Sequence, residues 1–175
     1  MPTDESSRGF GTRAIKAATR APRVEQNPGS VPLYQTATFL AESVDDYAQL
    51  VGFEKPGYTY SRLENPTADA MAGAFAELHG TEAGFAFGSG MGAIHAALLA
   101  LVAAGDRIVC TQAVYGSTRA LLERVLAPLG VETVFVDPTD FDAVEAALTV
   151  DRTQVHYAET LANPTIVVDD LERLA

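Results

Sequence analysis

The chain reads as an α/β protein with a mostly parallel sheet and helices on both faces, preceded by an extended N-terminal arm. Three observations predict this. From Ala83 onward short apolar runs rich in Val, Ile and Phe alternate with helix-length segments. Glycines stand where those helices should stop, at Gly105 and Gly130. At 175 residues, 47% hydrophobic and 20% charged, the chain is also large enough to bury a core between two helical layers. Strands that alternate with helices form right-handed β/α crossovers, and these assemble a parallel sheet whose ligands bind beyond the carboxyl ends of its strands.

Taken in order, residues 1–60 form the arm, expected to contact another subunit, and 61–175 the front part of the α/β domain. The arm is full of breakers, Asn27-Pro28-Gly29, Pro32 and Pro56-Gly57, with one short helix expected near Ser43–Leu50. There Ser43 can cap and Asp45 and Asp46 favour the first turn. A second helix starts at Asn65 or Thr67 and ends at Gly80. The α/β part then predicts strand 83–87, buried helix 91–104, strand 107–111, helix 117–129, strand 131–136, helix 141–148 capped by Thr139 or Asp140, and strand 154–159. A further helix begins near Asp169, with Asp169 and Asp170 as its capping residues. Leu171–Ala175 reads as the first turn of a helix that continues, so the sequence is expected to be the front of something longer.

Composition excludes several classes of function. A net charge of −11 and a pI near 4.5 do not suit nucleic acid or an anionic membrane surface, and the one basic run is TRAIKAATRAPR near the N-terminus. The lone Cys110 cannot form an internal disulfide and fits a reducing compartment. The apolar stretch 93–104 is too short to span a bilayer. The expectation is a cytoplasmic protein.

The chemistry is expected at the loops that follow the strands. GSGMG, 88–92, joins an apolar run to a helix, and its backbone amides with the helix dipole suit a phosphate. It lacks the GxGxxG spacing of a dinucleotide site, and Cys110-Thr111-Gln112 puts no carboxylate at the end of the next strand for a ribose. It also lacks the GK[ST] of an ATP loop. One phosphate, held by Ser89, Gly90 and Met91, remains. Tyr115 follows the next strand, where its ring could stack on a planar ligand, and Glu159 and Asn163 follow the last. Tyr60 and Arg62 put a phenol and a guanidinium on one side of an extended segment, a pairing that suits an anion. Each feature also has a plain structural alternative: glycines for close helix packing, half-buried aromatics, an Asx turn at Asn163. His95, His156 and Cys110 have no partners at ligand spacing and read as core or edge residues.

Together VPLYQTATF, GYTYSRLENPT, FAFGSGMGAIHAALLAL, VYGSTRALLERVL and ETLANPTIVVDDL, in this order and spacing, resemble the Cys/Met-metabolism enzymes that use pyridoxal 5′-phosphate. That family includes cystathionine γ-synthase, cystathionine γ-lyase, O-acetylhomoserine sulfhydrylase and methionine γ-lyase. The resemblance covers the chain from about Thr12 and implies an aspartate-aminotransferase-like large domain, here incomplete. It implies an active site across a tight dimer, usually within a tetramer, acting on an amino acid derived from homoserine or cysteine. Ser89, Gly90 and Met91 would bind the cofactor phosphate of their own subunit, and Tyr60 and Arg62 that of a neighbour. Tyr115 would stack on the ring and move protons, Asn163 would bind its phenolic oxygen, and Glu159 would support that network.

The resemblance also implies a Schiff-base lysine and an aspartate paired with the ring nitrogen, and neither motif occurs here. The only lysines are Lys16 and Lys55. Leu161 stands where many relatives have proline, and Ser117 where methionine γ-lyases usually carry cysteine. The reading is thus a γ-replacing or γ-eliminating enzyme, replacement slightly preferred, with this stretch inactive alone. The alternative is a non-catalytic, oligomerising or phosphate-binding remnant.

Overall fold

The structure is a computed structural model that describes residues 9–17 and 29–174. The basic run beyond Ala17, the Asn27-Pro28 breaker and Ala175 lie outside the described residues. Two compact units divide between Ala86 and Phe87.

Among the described residues the first unit contains three helices, α1 (Phe10–Ala17), α2 (Val44–Val51) and α3 (Pro66–His79). α1 is absent from the sequence reading, which gave the arm one helix. It lies along α3, with the Arg13 guanidinium reaching the Glu77 carbonyl (3.5 Å), so tertiary packing supplies what weak periodicity does not show. α2 begins where Ser43 Oγ accepts from the Asp46 amide (3.0 Å). α3 is capped by Asn65, whose Oδ1 accepts from the Thr67 amide, with Pro66 in the first turn where its missing N–H costs nothing. Gly80 ends it in the left-handed conformation at φ 67°. After α3 the chain returns so closely that a Cβ at Gly84 would sit 2.4 Å from the Ala72 carbonyl oxygen. Only glycine passes there.

The second unit holds α4 (Gly90–Leu101), β1 (Arg107–Thr111), α5 (Gly116–Leu121), β2 (Glu132–Val136), α6 (Phe141–Leu148), β3 (Thr153–Tyr157) and the short α7 (Leu171–Leu174). The sheet is parallel, in the order β2-β1-β3. Asp140 rather than Thr139 caps α6, its Oδ1 accepting from the Ala143 amide (3.0 Å). The helix expected over 117–129 is α only to Leu121. It widens into a π turn over Leu122–Leu126 and closes in a 3₁₀ turn at Ala127–Leu129, where Pro128 has no N–H for the i−4 carbonyl.

Alternation along the strands sorts the core into two layers. Ile108 and Cys110 of β1 join Leu98, Leu121, Leu122 and Leu126 on one face, and Phe135 and Val155 pack against them. Val109 and Val136 join Val144, Ala147 and Leu174 on the other. β1 is therefore covered on both sides, and Ile108, Val109, Cys110 and Thr111 are fully buried.

Two expectations fail here. Residues 83–87 form no strand: no described strand pairs with them, and Phe85 is 84% exposed. An apolar run becomes a strand only when another strand satisfies its amides and carbonyls. Likewise α4 is not a buried helix. Leu98 alone on it is buried, while Leu99 and Leu101 are exposed. Leu122 sits fully enclosed between α5 and the sheet. Leu122→Ala should therefore lower unfolding free energy by about 2–5 kcal/mol in denaturant titration, against less than about 0.5 kcal/mol for exposed Val150→Ala.

Candidate cofactor site

α4 opens with a turn whose donors are unspent. Ser89 is extended (φ −159°, ψ 152°), and its Oγ accepts from the Gly92 amide (3.0 Å) while its carbonyl accepts from Ala93 (3.1 Å). The amides of Gly90 and Met91 precede the first intrahelical acceptor and have none within the helix. A Cβ at Gly88 or Gly90 would meet no atom within 4 Å, so open space borders the turn. At Gly92 a Cβ would come 3.0 Å from Ser89 Oγ, so glycine there protects the cap. Two amides, a hydroxyl whose proton is still available and the positive end of a twelve-residue helix make a set of donors for an oxyanion.

Beyond the strands' carboxyl ends two loops are tied by one carboxylate. The Tyr115 amide donates to both Glu159 oxygens, each at 3.1 Å. A charged acceptor makes this bond stronger than a neutral one, and it joins the loop after β1 to the loop after β3. The Tyr115 ring, 41% exposed, has no ring partner among the described residues. After Glu159 the chain folds back on itself. The Ala162 amide donates to the Val167 carbonyl (2.8 Å), the Ile166 amide to the Ala162 carbonyl (2.9 Å), and Leu161 bridges Val168. Asn163 sits exposed near the tip, before a cis peptide to Pro164, and its amide makes no Asx turn.

Tyr60 and Arg62 belong to the first unit. Tyr60 forms an antiparallel bridge with Thr38 and ends the extended stretch. The Leu63 and Glu64 amides then donate to its carbonyl (2.9 and 3.1 Å), and this turn lays the Arg62 guanidinium over the Tyr60 ring, 4.2 Å from its centroid. The two side chains do meet, through a turn and not, as expected, through the alternation of a strand. Nearby, burial and then the hydrogen bond to the Asp69 carboxylate push the Tyr58 phenol above its ordinary range.

A family model described as "Cys/Met metabolism PLP-dependent enzyme" matches residues 11–175. The chain belongs to that family. It is 40% identical over 167 residues to an L-methionine gamma-lyase of Fusobacterium nucleatum, covering 95% of this chain and 42% of that protein. It is 37% identical over 178 residues to a homocysteine synthase of Schizosaccharomyces pombe, covering all of this chain and 40% of that one. Among solved structures, it is similar to an O-acetylhomoserine (thiol)-lyase from Campylobacter jejuni that carries a pyridoxyl-lysine phosphate, with a TM-score of 0.82 and 32% identity over 93% of this chain and 40% of that one. The chain thus spans about two fifths of the length of the relatives it matches. The expected α/β fold of PLP-dependent enzymes is the fold these structures share.

The donors at Ser89–Met91 fit the phosphate of pyridoxal phosphate, and the free face of Tyr115 fits a planar ring. The covalent anchor does not fall to Lys55, whose ammonium pairs with Asp46 and holds that carboxyl below its ordinary value. The side chain of Lys16 lies outside the described residues.

Of the remaining candidates, Asp170 caps α7, its Oδ1 accepting from the Arg173 amide (3.3 Å). Asp169 does not cap. It is 6% exposed, with neither carboxylate oxygen partnered among the described residues. Its burial was not legible, because two adjacent aspartates before a helix look alike in sequence. Burial pushes the Cys110 thiol up from 9.0 to about 12, with Glu159 adding to the shift and Arg119 opposing it. Because the folded value lies above the unfolded one, the stability this thiol contributes is complete below pH 9 and is lost as pH rises from about 9 toward 12. Iodoacetamide at pH 8 should leave Cys110 unmodified until denaturant is added. Cys110→Ala should flatten part of the fall in melting temperature between pH 8 and 10.5.

Proposed function

We propose that this chain supplies the phosphate cradle and ring platform of a pyridoxal-phosphate enzyme of the transsulfuration type. The full-length enzyme acts at the γ-carbon of an amino acid derived from homoserine or cysteine. The observation that carries this reading is the α4 N-terminus, where two unspent amides and the Ser89 hydroxyl border open space. In this reading 61–175 is the front part of the cofactor domain and 1–60 an arm that contacts another subunit. The lysine that anchors the cofactor lies outside this sequence.

When bound, pyridoxal phosphate supplies the electron sink that γ-substitution requires. The chain's own residues orient and protonate. Gly90 and Met91 donate amide N–H, and Ser89 its O–H, to phosphate oxygens. Tyr60 and Arg62 bring a phenol and a fixed positive charge to the phosphate of a neighbouring subunit, in an assembly of two dimers. Tyr115 covers one ring face and moves a proton at its phenolic oxygen. Glu159 holds that residue in place by its amide, and Asn163 donates to the ring's phenolic oxygen.

Replacement is preferred to elimination. Relatives with both kinds of name are nearly equally similar, at 40% and 37% identity, so identity does not decide. Ser117, exposed in the first turn of α5, supports replacement, because it puts a hydroxyl where methionine γ-lyases usually carry a thiol. A single cysteine, with no second one in this sequence to pair with, supports a cytoplasmic setting. No helix among the described residues is long and apolar enough to cross a membrane.

Titration of the protein, isolated as its cell makes it, with pyridoxal phosphate should show saturable binding. Gly90→Val should abolish binding by filling the cradle, and Ser89→Ala should weaken it about three- to tenfold, the worth of one hydrogen bond. Undiminished binding by Gly90→Val would overturn the assignment. Tyr115→Phe should lower kcat with O-acetylhomoserine and sulfide about 10²-fold or more while leaving cofactor affinity within about threefold, since the ring remains. A protein that binds the cofactor yet turns over neither that pair nor methionine would favour the non-catalytic remnant.

A further inference from the structure

Two motifs, VPLYQTATF and the NPT of GYTYSRLENPT, have no part in the donor set above, and the structure shows what joins them. Residues 32–37 lie in a stretch without helix or ladder, so their backbone groups need partners from elsewhere. Side chains at the start of α3 provide them. Thr67 Oγ1 donates to the Pro32 carbonyl (2.9 Å) and accepts from the Tyr34 amide (3.0 Å). Asn65 Nδ2 donates to the Tyr34 carbonyl (3.0 Å) and to Ser61 Oγ (3.0 Å), and Ser61 Oγ donates to the Thr36 carbonyl. Four backbone groups between Pro32 and Thr36 are thus held by three side chains.

Capping α3 needs none of this. The cap is the bond from the Thr67 amide to Asn65 Oδ1 (2.9 Å). The other bonds are surplus to helix formation, and what they enclose is Tyr60 and Arg62. On one side, the Ser61 amide donates to Ala37 (2.9 Å) and the Phe39 amide to Thr59 (3.0 Å). On the other, Asn65 and Thr67 pin the end of the turn. Phe39 packs between Tyr34 and Tyr58, with ring centroids 6.2 and 5.5 Å away, so the clamped stretch also has an apolar footing. The backbone that carries Arg62 over the Tyr60 ring is held at both ends.

We propose that Ser61, Asn65 and Thr67 are positioning residues. Through the 32–37 stretch they hold the turn that presents Tyr60 and Arg62 to an anionic ligand. This rests on the reading that Tyr60 and Arg62 contact the cofactor phosphate. Its physical content is pre-organisation: a guanidinium on a fixed turn loses less freedom on binding than one on a loose loop. Thr67 is decisive because a hydroxyl there both donates and accepts, which an isosteric valine cannot do.

The test is a double-mutant cycle on the protein isolated as its cell makes it, read as the dissociation constant for pyridoxal phosphate and, as a second probe, inorganic phosphate. Arg62→Ala should weaken both. Thr67→Val should weaken both about tenfold, the loss of one or two net hydrogen bonds, and Thr67→Ser should restore them. In the Arg62→Ala background Thr67→Val should add less than about twofold, because the group it positions is gone. A role confined to folding would instead lower the melting temperature equally in both backgrounds and leave affinity unchanged, which overturns the proposal. If Arg62→Ala leaves affinity unchanged, the phosphate assignment fails and the proposal with it. If Arg62→Ala weakens binding but Thr67→Val does not, the assignment stands and the proposal alone falls. Should Thr67→Val not fold, Ser61→Ala decides, with the same pattern expected at about threefold.

Discussion

A strand with no exposed face is the constraint on which the second unit depends. β1 lies between β2 and β3, and its residues alternate into two apolar layers, so neither its register nor its height can shift without uncovering one of them. What leaves its carboxyl end inherits that rigidity. Val114 is buried in the first layer, which places Tyr115 one residue later at the surface. A single carboxylate then ties it to the loop after β3. The side chain of Tyr115 is thus open to solvent on a backbone that is held in place.

Polar side chains at helix starts do three kinds of work in this chain. Ser43, Asn65, Ser89 and Asp140 each accept from an amide two or three residues on, the ordinary way to satisfy a helix N-terminus. At Asp140 and Ser43 that is all they do. At Ser89 the glycines leave the remaining donors open to the outside. At Asn65 the side chain's second end reaches back to backbone more than thirty residues earlier. The same cap therefore stands at a closed helix end, beside open donors or on a tie to distant backbone, according to what lies opposite it.

Those distinctions mark how far the sequence could be read. Caps and stops are local, so α2, α3 and α6 fall within a residue of expectation, and β1 and the family motifs were legible at once. Residues 83–87 show the opposite case: two phenylalanines and an alternating run look like a strand, but strandhood depends on a partner. α1 was hidden because its support comes from α3, far along the chain. At the candidate site, the position of the glycine turn before α4 and of the tyrosine after β1 was legible, since both follow from local breaks in the apolar pattern. The roles of Thr67 and Ser61 could not, because a hydroxyl's partners lie 25 to 35 residues away and nothing in the residue type names them.

The unpaired stretch 83–87 bears on how the protein behaves in concentrated solution. Extended backbone with no strand partner among the described residues, carrying Phe85 and Phe87 open to solvent, is available for pairing with another strand. At neutral pH a net charge of −11 keeps two copies apart. Near the pI of about 4.5 that repulsion vanishes while the unpaired stretch remains. In this stretch of chain, charge and an unpaired apolar run thus pull in opposite directions, and acidification removes the first without touching the second.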